Sequence, residues 1–169
     1  VQGDVGSGKT VVAAAAIYLA VRNGCQAVMM APTEILAEQH CKTLTAMLSP
    51  FGINVALLAG KLTAAQKRSA KAGLESGGIQ VAVGTSALIQ GDVVFKRLGL
   101  AVTDEQHRFG VLQRADLISK AQSGSPHTLV MSATPIPRTL SLILYGDLDI
   151  SVIDELPAGR QKIKTYFVD

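Results

Sequence analysis

The chain has 169 residues, with 16 Lys and Arg against 13 Asp and Glu, and carries a formal net charge of +3. Hydrophobic residues make up 48% and charged residues 17% of the chain, which excludes an intrinsically disordered protein and predicts a large buried core. Two cysteines are too few for a disulfide scaffold, no apolar run approaches the roughly 20 residues of a membrane span, and no signal peptide opens the chain, so we expect a soluble cytoplasmic protein that binds no membrane.

The predicted elements alternate between helices and short apolar runs. In chain order we predict a helix over residues 10–23, a strand over 25–31, a helix over 34–48, a strand over 53–59 and a helix over 63–76. Strands at 79–85 and 98–104, a helix at 111–121, a strand at 127–134, a helix at 138–145 and a strand at 149–156 follow. Near-continuous apolar runs are typical of strands buried on both faces of a parallel sheet. The pattern therefore predicts an α/β domain with a parallel β-sheet and helices on both faces.

Local signals mark where the predicted helices begin and end. Gly24 follows the first helix and Pro50 follows the second. Thr63 and Gln66 have the spacing of a capping box ahead of the third helix, which ends before Gly77.

The two ends of the sequence predict the domain boundaries. A glycine-rich segment begins at Gly3, so only Val1 and Gln2 remain of the strand expected before it. Residues 157–160 read PAGR, which is typical of a linker, and an apolar stretch follows them. We expect residues 1–156 to form one domain with a truncated first strand, and residues 157–169 to be a linker and the start of a neighbouring domain.

Residues 3–10, GDVGSGKT, match the phosphate-binding pattern G-x-x-x-x-G-K-[ST]. Glycines let the backbone bend so that several N–H groups point at a phosphate, and the following helix presents its positive end to the same anion. Lys9 would reach the β- and γ-phosphates, and the Thr10 hydroxyl would bind Mg²⁺. The alternative is a glycine turn before an ordinary helix. We predict that ATP is bound by Gly3, Asp4, Val5, Gly6, Ser7, Gly8, Lys9 and Thr10.

Two adjacent carboxylates, Asp104 and Glu105, end the strand predicted over residues 98–104. In open α/β sheets the carboxyl ends of the strands form the ligand-binding edge. Asp104 would hold Mg²⁺, and Glu105 would orient and deprotonate the attacking water. Acidic residues after a strand also occur in ordinary surface turns. Ser132 and Thr134 end a later strand, where they are either turn formers or hydroxyls that sense the state of the carboxylates.

The segments GDVGSGKT, DEQHRFG and SATPIPRTL together resemble the first motor domain of the RecG family of superfamily 2 DNA helicases. The resemblance covers essentially the whole chain. The phosphate loop and the DExH residues identify the superfamily, whereas the HRFG and PIPRTL extensions are narrower and are shared chiefly with transcription-repair coupling translocases. The resemblance implies a RecA-like P-loop NTPase fold with ATP and Mg²⁺ as cofactors.

The same resemblance implies roles for individual residues. Lys9, Asp104, Glu105 and His107 would be catalytic, with Thr10 and Asp104 at the metal. Coupling to DNA or contact with it would involve Thr33, Gly84, Thr85, Gln106, Arg108, Ser132, Thr134 and Arg138. For Thr33, Gly84 and Thr85 an ordinary strand–helix junction, with Thr33 as a helix N-cap, is an equal alternative. Arg108 and Arg138 would otherwise be solvent-exposed.

Other polar residues have less specific interpretations. Lys61, Lys67, Arg68 and Lys71 form a basic cluster around the third helix, which we interpret as a solvated helix face rather than a DNA contact. His40 and His127 have no companion residues in the sequence, and we expect them to be structural or exposed.

The resemblance implies, as the function, ATP-driven remodelling and branch migration of branched DNA in recombination and repair. The partners would be forked or junction DNA, a second RecA-like domain and a DNA wedge domain of the same parent chain. Because an arginine finger from the second domain would be absent, we expect the isolated chain to hydrolyse ATP weakly or not at all. The first alternative is the motor domain of a transcription-repair translocase, and the second is a P-loop kinase or nucleotide switch.

Overall fold

The computed structural model describes residues 1–85, 88, 92–104, 125–133 and 149–155. The described helices are α1 (Lys9–Arg22), α2 (Glu34–Leu48) and α3 (Ala64–Ser76), with a 3₁₀ turn at Ser49–Phe51. The strands are β1 (Gln2–Gly3), β2 (Gln26–Met30), β3 (Val55–Leu58), β4 (Val81–Gly84), β5 (Leu98–Asp104), β6 (His127–Met131) and β7 (Val152–Ile153). All three described helices begin and end within one residue of their predicted bounds. The helices predicted over residues 111–121 and 138–145 lie outside the described residues.

Five strands form a parallel sheet in the order β3-β4-β2-β5-β6. A second parallel pair, β1 and β7, adjoins β6 through a bridge between Gln2 and Ser132. The Gly3 amide donates to the Ser132 carbonyl at 3.2 Å, and the Ser132 amide donates to the Val1 carbonyl at 3.1 Å. Strand β6 therefore lies between β1 and β5, and at about 4.8 Å per strand the ends of β1 and β5 are roughly 10 Å apart.

Helices cover both faces of the sheet, as the apolar runs predict. On β2, Ala27 and Met29 pack with the buried residues of α1 and α2, whereas Val28 and Met30 pack in the cluster that contains Leu74 of α3. Successive residues of a strand point to opposite faces, so a strand buried on both sides needs apolar residues at every position. This confirms the α/β architecture.

Helix α2 shows why these residues form the layer next to the sheet. Thr33 caps its first turn, where Glu34 complements the positive helix end. Its buried residues are Ala37, His40, Leu44 and Leu48. These follow the three- and four-residue spacing of a single helix face. The helix ends at Leu48, and Pro50 lies in the 3₁₀ turn that follows, as expected.

Helix α3 begins with the predicted capping box. The Thr63 hydroxyl accepts from the Gln66 amide at 3.2 Å, and the Gln66 side chain accepts from the Thr63 amide at 2.9 Å.

Within the described part of the chain, none of the helices is both long and apolar enough to cross a bilayer.

Candidate nucleotide-binding site

The loop between β1 and α1 has the backbone geometry of an anion cradle. Gly6 and Gly8 have φ angles of 83° and 92°, which a residue with a side chain rarely adopts. Gly8 caps α1 without any side-chain hydrogen bond, and the first turn of α1 carries no acidic residue. The positive end of the helix is therefore not neutralised by a side chain from its own first turn, which favours an anionic ligand there.

The loop folds tightly over Gly3 and leaves little room for a side chain there. A Cβ at this position would lie 2.6 Å from the Ser7 hydroxyl and 3.1 Å from the Ile153 Cβ. The Ser7 oxygen is buried and has no hydrogen-bond partner among the described residues. Buried hydroxyls normally have partners, so an oxyanion bound in this loop would satisfy a donor that is otherwise unused.

Lys9 spans the loop from the first turn of α1. Its Nζ donates to the carbonyls of Gly3 and Asp4, both at 2.7 Å. These two bonds leave one of the three ammonium hydrogens for a phosphate oxygen. Thr10 precedes the buried Ala13 and Ala14 by three and four residues, so it lies on the sheet-facing side of α1.

Asp104 is the last residue of β5 and lies at the carboxyl edge of the sheet. Leu100 and Val102 of the same strand pack against the α1–α2 layer. Asp104 continues this alternation and therefore projects from the same face of the sheet. Its side chain is 16% exposed, and its Oδ2 lies 2.7 Å from Nε2 of His40. The Asp104 carboxylate and the α1 phosphate loop thus share one side of the sheet.

The sequence interpretation missed the contact between His40 and Asp104. His40 is buried, at 9% exposure, and its partner lies 64 residues further along the chain. The sequence places His40 on the apolar stripe of α2 and Asp104 at the end of β5, but it does not show that these two elements pack against each other. A buried imidazole needs a hydrogen-bond partner. His127 is exposed at the start of β6, as expected.

Ser132 lies where the two halves of the site meet. It follows β6, is 5% exposed, and is joined by backbone hydrogen bonds to β1 on the phosphate-loop side. On the other side, Met131 is paired with Asp104 in the register of β5 and β6. A change at Ser132 would therefore affect both the strand that leads into the phosphate loop and the strand that ends at Asp104.

Three further predicted residues lie at the carboxyl edge. Gly84 is the last residue of β4, Thr85 follows it, and Thr33 comes three residues after the end of β2. Thr33 is exposed, and its hydroxyl accepts from the Leu36 amide at 3.3 Å as the N-cap of α2. Gly84 is buried, and a Cβ there would overlap the Leu58 carbonyl of the neighbouring strand. The Thr85 carbonyl accepts from the Leu88 amide at 3.0 Å. Thr33 and Gly84 thus have structural reasons for their residue types.

Several predicted site residues lie outside the described part of the chain. They are Glu105, Gln106, His107, Arg108, Thr134 and Arg138. Their roles stay predictions.

Three of the four residues of the basic cluster around α3 have partners within the chain. Lys61 forms an ion pair with Glu38, and Lys71 forms one with Asp92. Lys67 donates to the carbonyl of Gly60 at 2.8 Å. These contacts favour the interpretation as a solvated helix face.

The oxygen atoms that could bind a metal at this site suit magnesium bound together with a nucleotide. In the described ranges, no group of three or more His, Cys, Asp or Glu side chains could hold a metal. Mg²⁺ prefers oxygen ligands and is typically bound by one or two protein oxygens together with water and substrate phosphates. The Thr10 hydroxyl and the Asp104 carboxylate are oxygens of this kind.

Known proteins resemble this chain over nearly its whole length. The family model described as DEAD/DEAH box helicase matches residues 1–143. The chain is 58% identical over 168 residues to the ATP-dependent DNA helicase RecG of Aquifex aeolicus (strain VF5), covering 98% of this chain and 21% of that protein. It is 52% identical over 167 residues to RecG of Bacillus subtilis (strain 168), covering 99% of this chain and 24% of that protein.

A solved structure of RecG bound to a three-way DNA junction is similar to the chain in three dimensions. The TM-score is 0.80 at 50% sequence identity, covering 96% of this chain and 21% of that one. The chain thus spans between a fifth and a quarter of the length of these relatives.

Proposed function

The chain belongs to the DEAD/DEAH box helicase family, and on this basis we propose that it is the ATP-hydrolysing motor domain of a DNA helicase that acts on branched DNA. The observation that carries the proposal is the pairing of a glycine-cradled phosphate loop with a carboxylate two strands away on the same side of the sheet. RecA-like motors hydrolyse nucleotides between such elements. Its RecG relatives are ATP-dependent DNA helicases, and one is seen on a three-way DNA junction, which supports branched DNA as the substrate.

In this proposal the chain binds ATP through its phosphates. Loop N–H groups, Lys9 and the positive end of α1 hold the β- and γ-phosphates, and Thr10 and Asp104 hold the metal. Mg²⁺, when bound, neutralises charge on the phosphate oxygens. Glu105 directly follows Asp104 and orients and deprotonates the attacking water. Gln106, His107 and the hydroxyls of Ser132 and Thr134 link the state of the γ-phosphate to DNA.

DNA contact is assigned to the carboxyl edge of β2 and β4. Thr33 and Thr85 offer hydroxyl and backbone N–H groups there, which suit phosphate contacts that do not depend on base sequence. Arg108 and Arg138 take part in coupling or in contacts between domains.

We also propose how this chain relates to a longer protein. Residues 1–156 form the first RecA-like domain, and residues 157–169 lead into a second one, which contributes an arginine finger worth roughly 10³–10⁵ in rate. A DNA wedge domain completes the enzyme. We place it in the cytoplasm, where bacterial DNA and ATP are found.

The test is the ATPase rate of the full-length protein with a four-way DNA junction, with linear duplex of equal length, and without DNA. We expect stimulation by the junction to exceed that by the duplex. Equal stimulation by both DNAs would refute the branched-DNA substrate and favour the transcription-repair translocase. No stimulation by either would refute a DNA motor.

A single variant tests the proposed general base. Glu105→Gln keeps the size of the side chain and removes its basicity, so turnover should fall roughly 10²–10⁴-fold while ATP still binds. Lys42→Gln, on the surface of α2, is the control for a charge change outside the site and should retain wild-type turnover. Full turnover of Glu105→Gln would show that another group acts as the base.

A further inference from the structure

A buried hydrogen bond ties α2 to the carboxylate of the candidate site. Nε2 of His40 lies 2.7 Å from Oδ2 of Asp104, and the two side chains are 11% and 16% exposed. A carboxylate oxygen only accepts hydrogen bonds, so Nε2 carries the hydrogen between them. Hydrogen bonds to an ionised acceptor are stronger than neutral ones, and little water reaches this one.

The contact uses one oxygen of the carboxylate and leaves the other to a ligand. An aspartate side chain at a strand end turns about two single bonds, so its oxygens have several available positions. Magnesium demands near-ideal octahedral geometry, which tolerates little displacement of a ligand. Fixing Oδ2 through His40 therefore fixes where Oδ1 lies.

Stability alone does not require an imidazole at this position. His40 occupies the sheet-facing stripe of α2 between Ala37 and Leu44, where a leucine would add apolar burial. A buried pair of polar side chains costs desolvation that its attraction often fails to recover. The residue type is better explained by what it does to Asp104 than by its packing.

We propose that His40 is a positioning residue for the ATPase reaction, which holds the Asp104 carboxylate in the orientation that receives the magnesium–nucleotide complex. This rests on the proposed function of the site. His40 does not touch the nucleotide in this scheme and acts only through Asp104. Hydrogen-bonding partners of metal-binding groups typically change metal affinity 10- to 100-fold when removed.

The experiment compares variants that separate the hydrogen bond from the packing. His40→Leu keeps a buried side chain of similar volume and removes the donor, whereas His40→Gln keeps an amide donor near the position of Nε2. His40→Asn, whose amide is too short to reach Oδ2, gives a second donor-deficient variant that stays polar. His127→Leu makes the same chemical change at an exposed site on β6.

The measurement is binding of a fluorescent ADP analogue to the full-length protein, titrated with Mg²⁺ and repeated in EDTA. We expect His40→Leu and His40→Asn to raise the half-saturating Mg²⁺ concentration about 10-fold. Their affinity for the analogue in EDTA should stay within about twofold of wild type. His40→Gln should come within about threefold of wild type, and His127→Leu should match it.

Three results would overturn the proposal. The first is an unchanged half-saturating Mg²⁺ concentration in His40→Leu or His40→Asn. The second is an equal loss in His40→Gln, and the third is an equal loss of affinity in EDTA, both of which would point to packing. Failure of the wild-type protein to bind the analogue would instead refute the nucleotide site itself.

Discussion

Replacing Gly84 by alanine tests why this residue is a glycine: because the neighbouring strand leaves no room for a side chain, or because a DNA backbone approaches it closely. The added methyl carbon would lie less than 3.0 Å from the Leu58 carbonyl oxygen, a separation that Cβ atoms in real structures essentially never show. It would also lie 3.0 Å from Leu88 Cγ. Leu58 and Gly84 are direct partners in the β3–β4 register, and on the other side the Gly84 carbonyl accepts from the Ala31 amide at 2.9 Å. Strand β4 therefore has no room to move sideways.

The cost follows from this confinement. Overpacking a core typically costs about 1–3 kcal/mol, and we expect about 3 kcal/mol here because the obstacle is backbone rather than a side chain that can turn away. At 1.4 kcal/mol per factor of ten, the slowest amides of β3 and β4 should exchange with deuterium roughly 100-fold faster.

Hydrogen exchange of the full-length protein, followed by mass spectrometry without DNA, measures this effect. Gly78→Ala is the matched control, because a Cβ there would meet its nearest atom at 3.5 Å, an ordinary contact. Exchange in that variant should change less than threefold. If Gly84→Ala exchanged like wild type and yet bound DNA more weakly, the steric argument would be wrong and close approach of DNA would explain the glycine.

Three further changes test separate parts of the structure. Lys9→Ala removes an ammonium group whose hydrogen bonds to phosphate are worth about 1.5–3 kcal/mol each. The affinity for ADP, measured by titration calorimetry, should therefore fall at least 10-fold. A change below threefold would contradict the proposed role of Lys9. Thr63→Ala breaks the capping box and should destabilise α3 by about 1 kcal/mol, seen as faster amide exchange in its first turn, whereas Thr43→Ala within α2 should leave α3 unchanged. Burial raises the pKa of the Cys41 thiol, only partly offset by its hydrogen bond with Thr45, so less thiolate forms at pH 8. In a Cys25→Ser protein, iodoacetamide should therefore alkylate Cys41 more slowly when folded than in urea, and equal rates would contradict the shift.

Local chemistry made most of the elements predictable. Thr33, Thr63 and Gly77 delimit helices through bonds and backbone angles that involve only neighbouring residues. The phosphate loop is likewise contained in eight consecutive residues, so its shape and its ligand class follow from glycine spacing and one lysine.

The long-range contacts that assemble the site were not predictable in this way. Residues 3 and 132 are brought together by strand order, and residues 40 and 104 by the packing of α2 on β5. Strand order in a parallel sheet depends on the way in which the long crossover connections pack on the sheet. That packing is a property of the whole chain rather than of any one segment.

The sequence by itself determined the fold class, the phosphate loop and the carboxylate strand, because hydrophobic periodicity and short motifs are local properties. Only the tertiary structure decided that β6 separates the loop from Asp104, that His40 holds that carboxylate, and that Gly84 is required by its neighbour Leu58. Each of these depends on a contact between residues far apart in the chain, and such contacts exist only once helices and strands have packed.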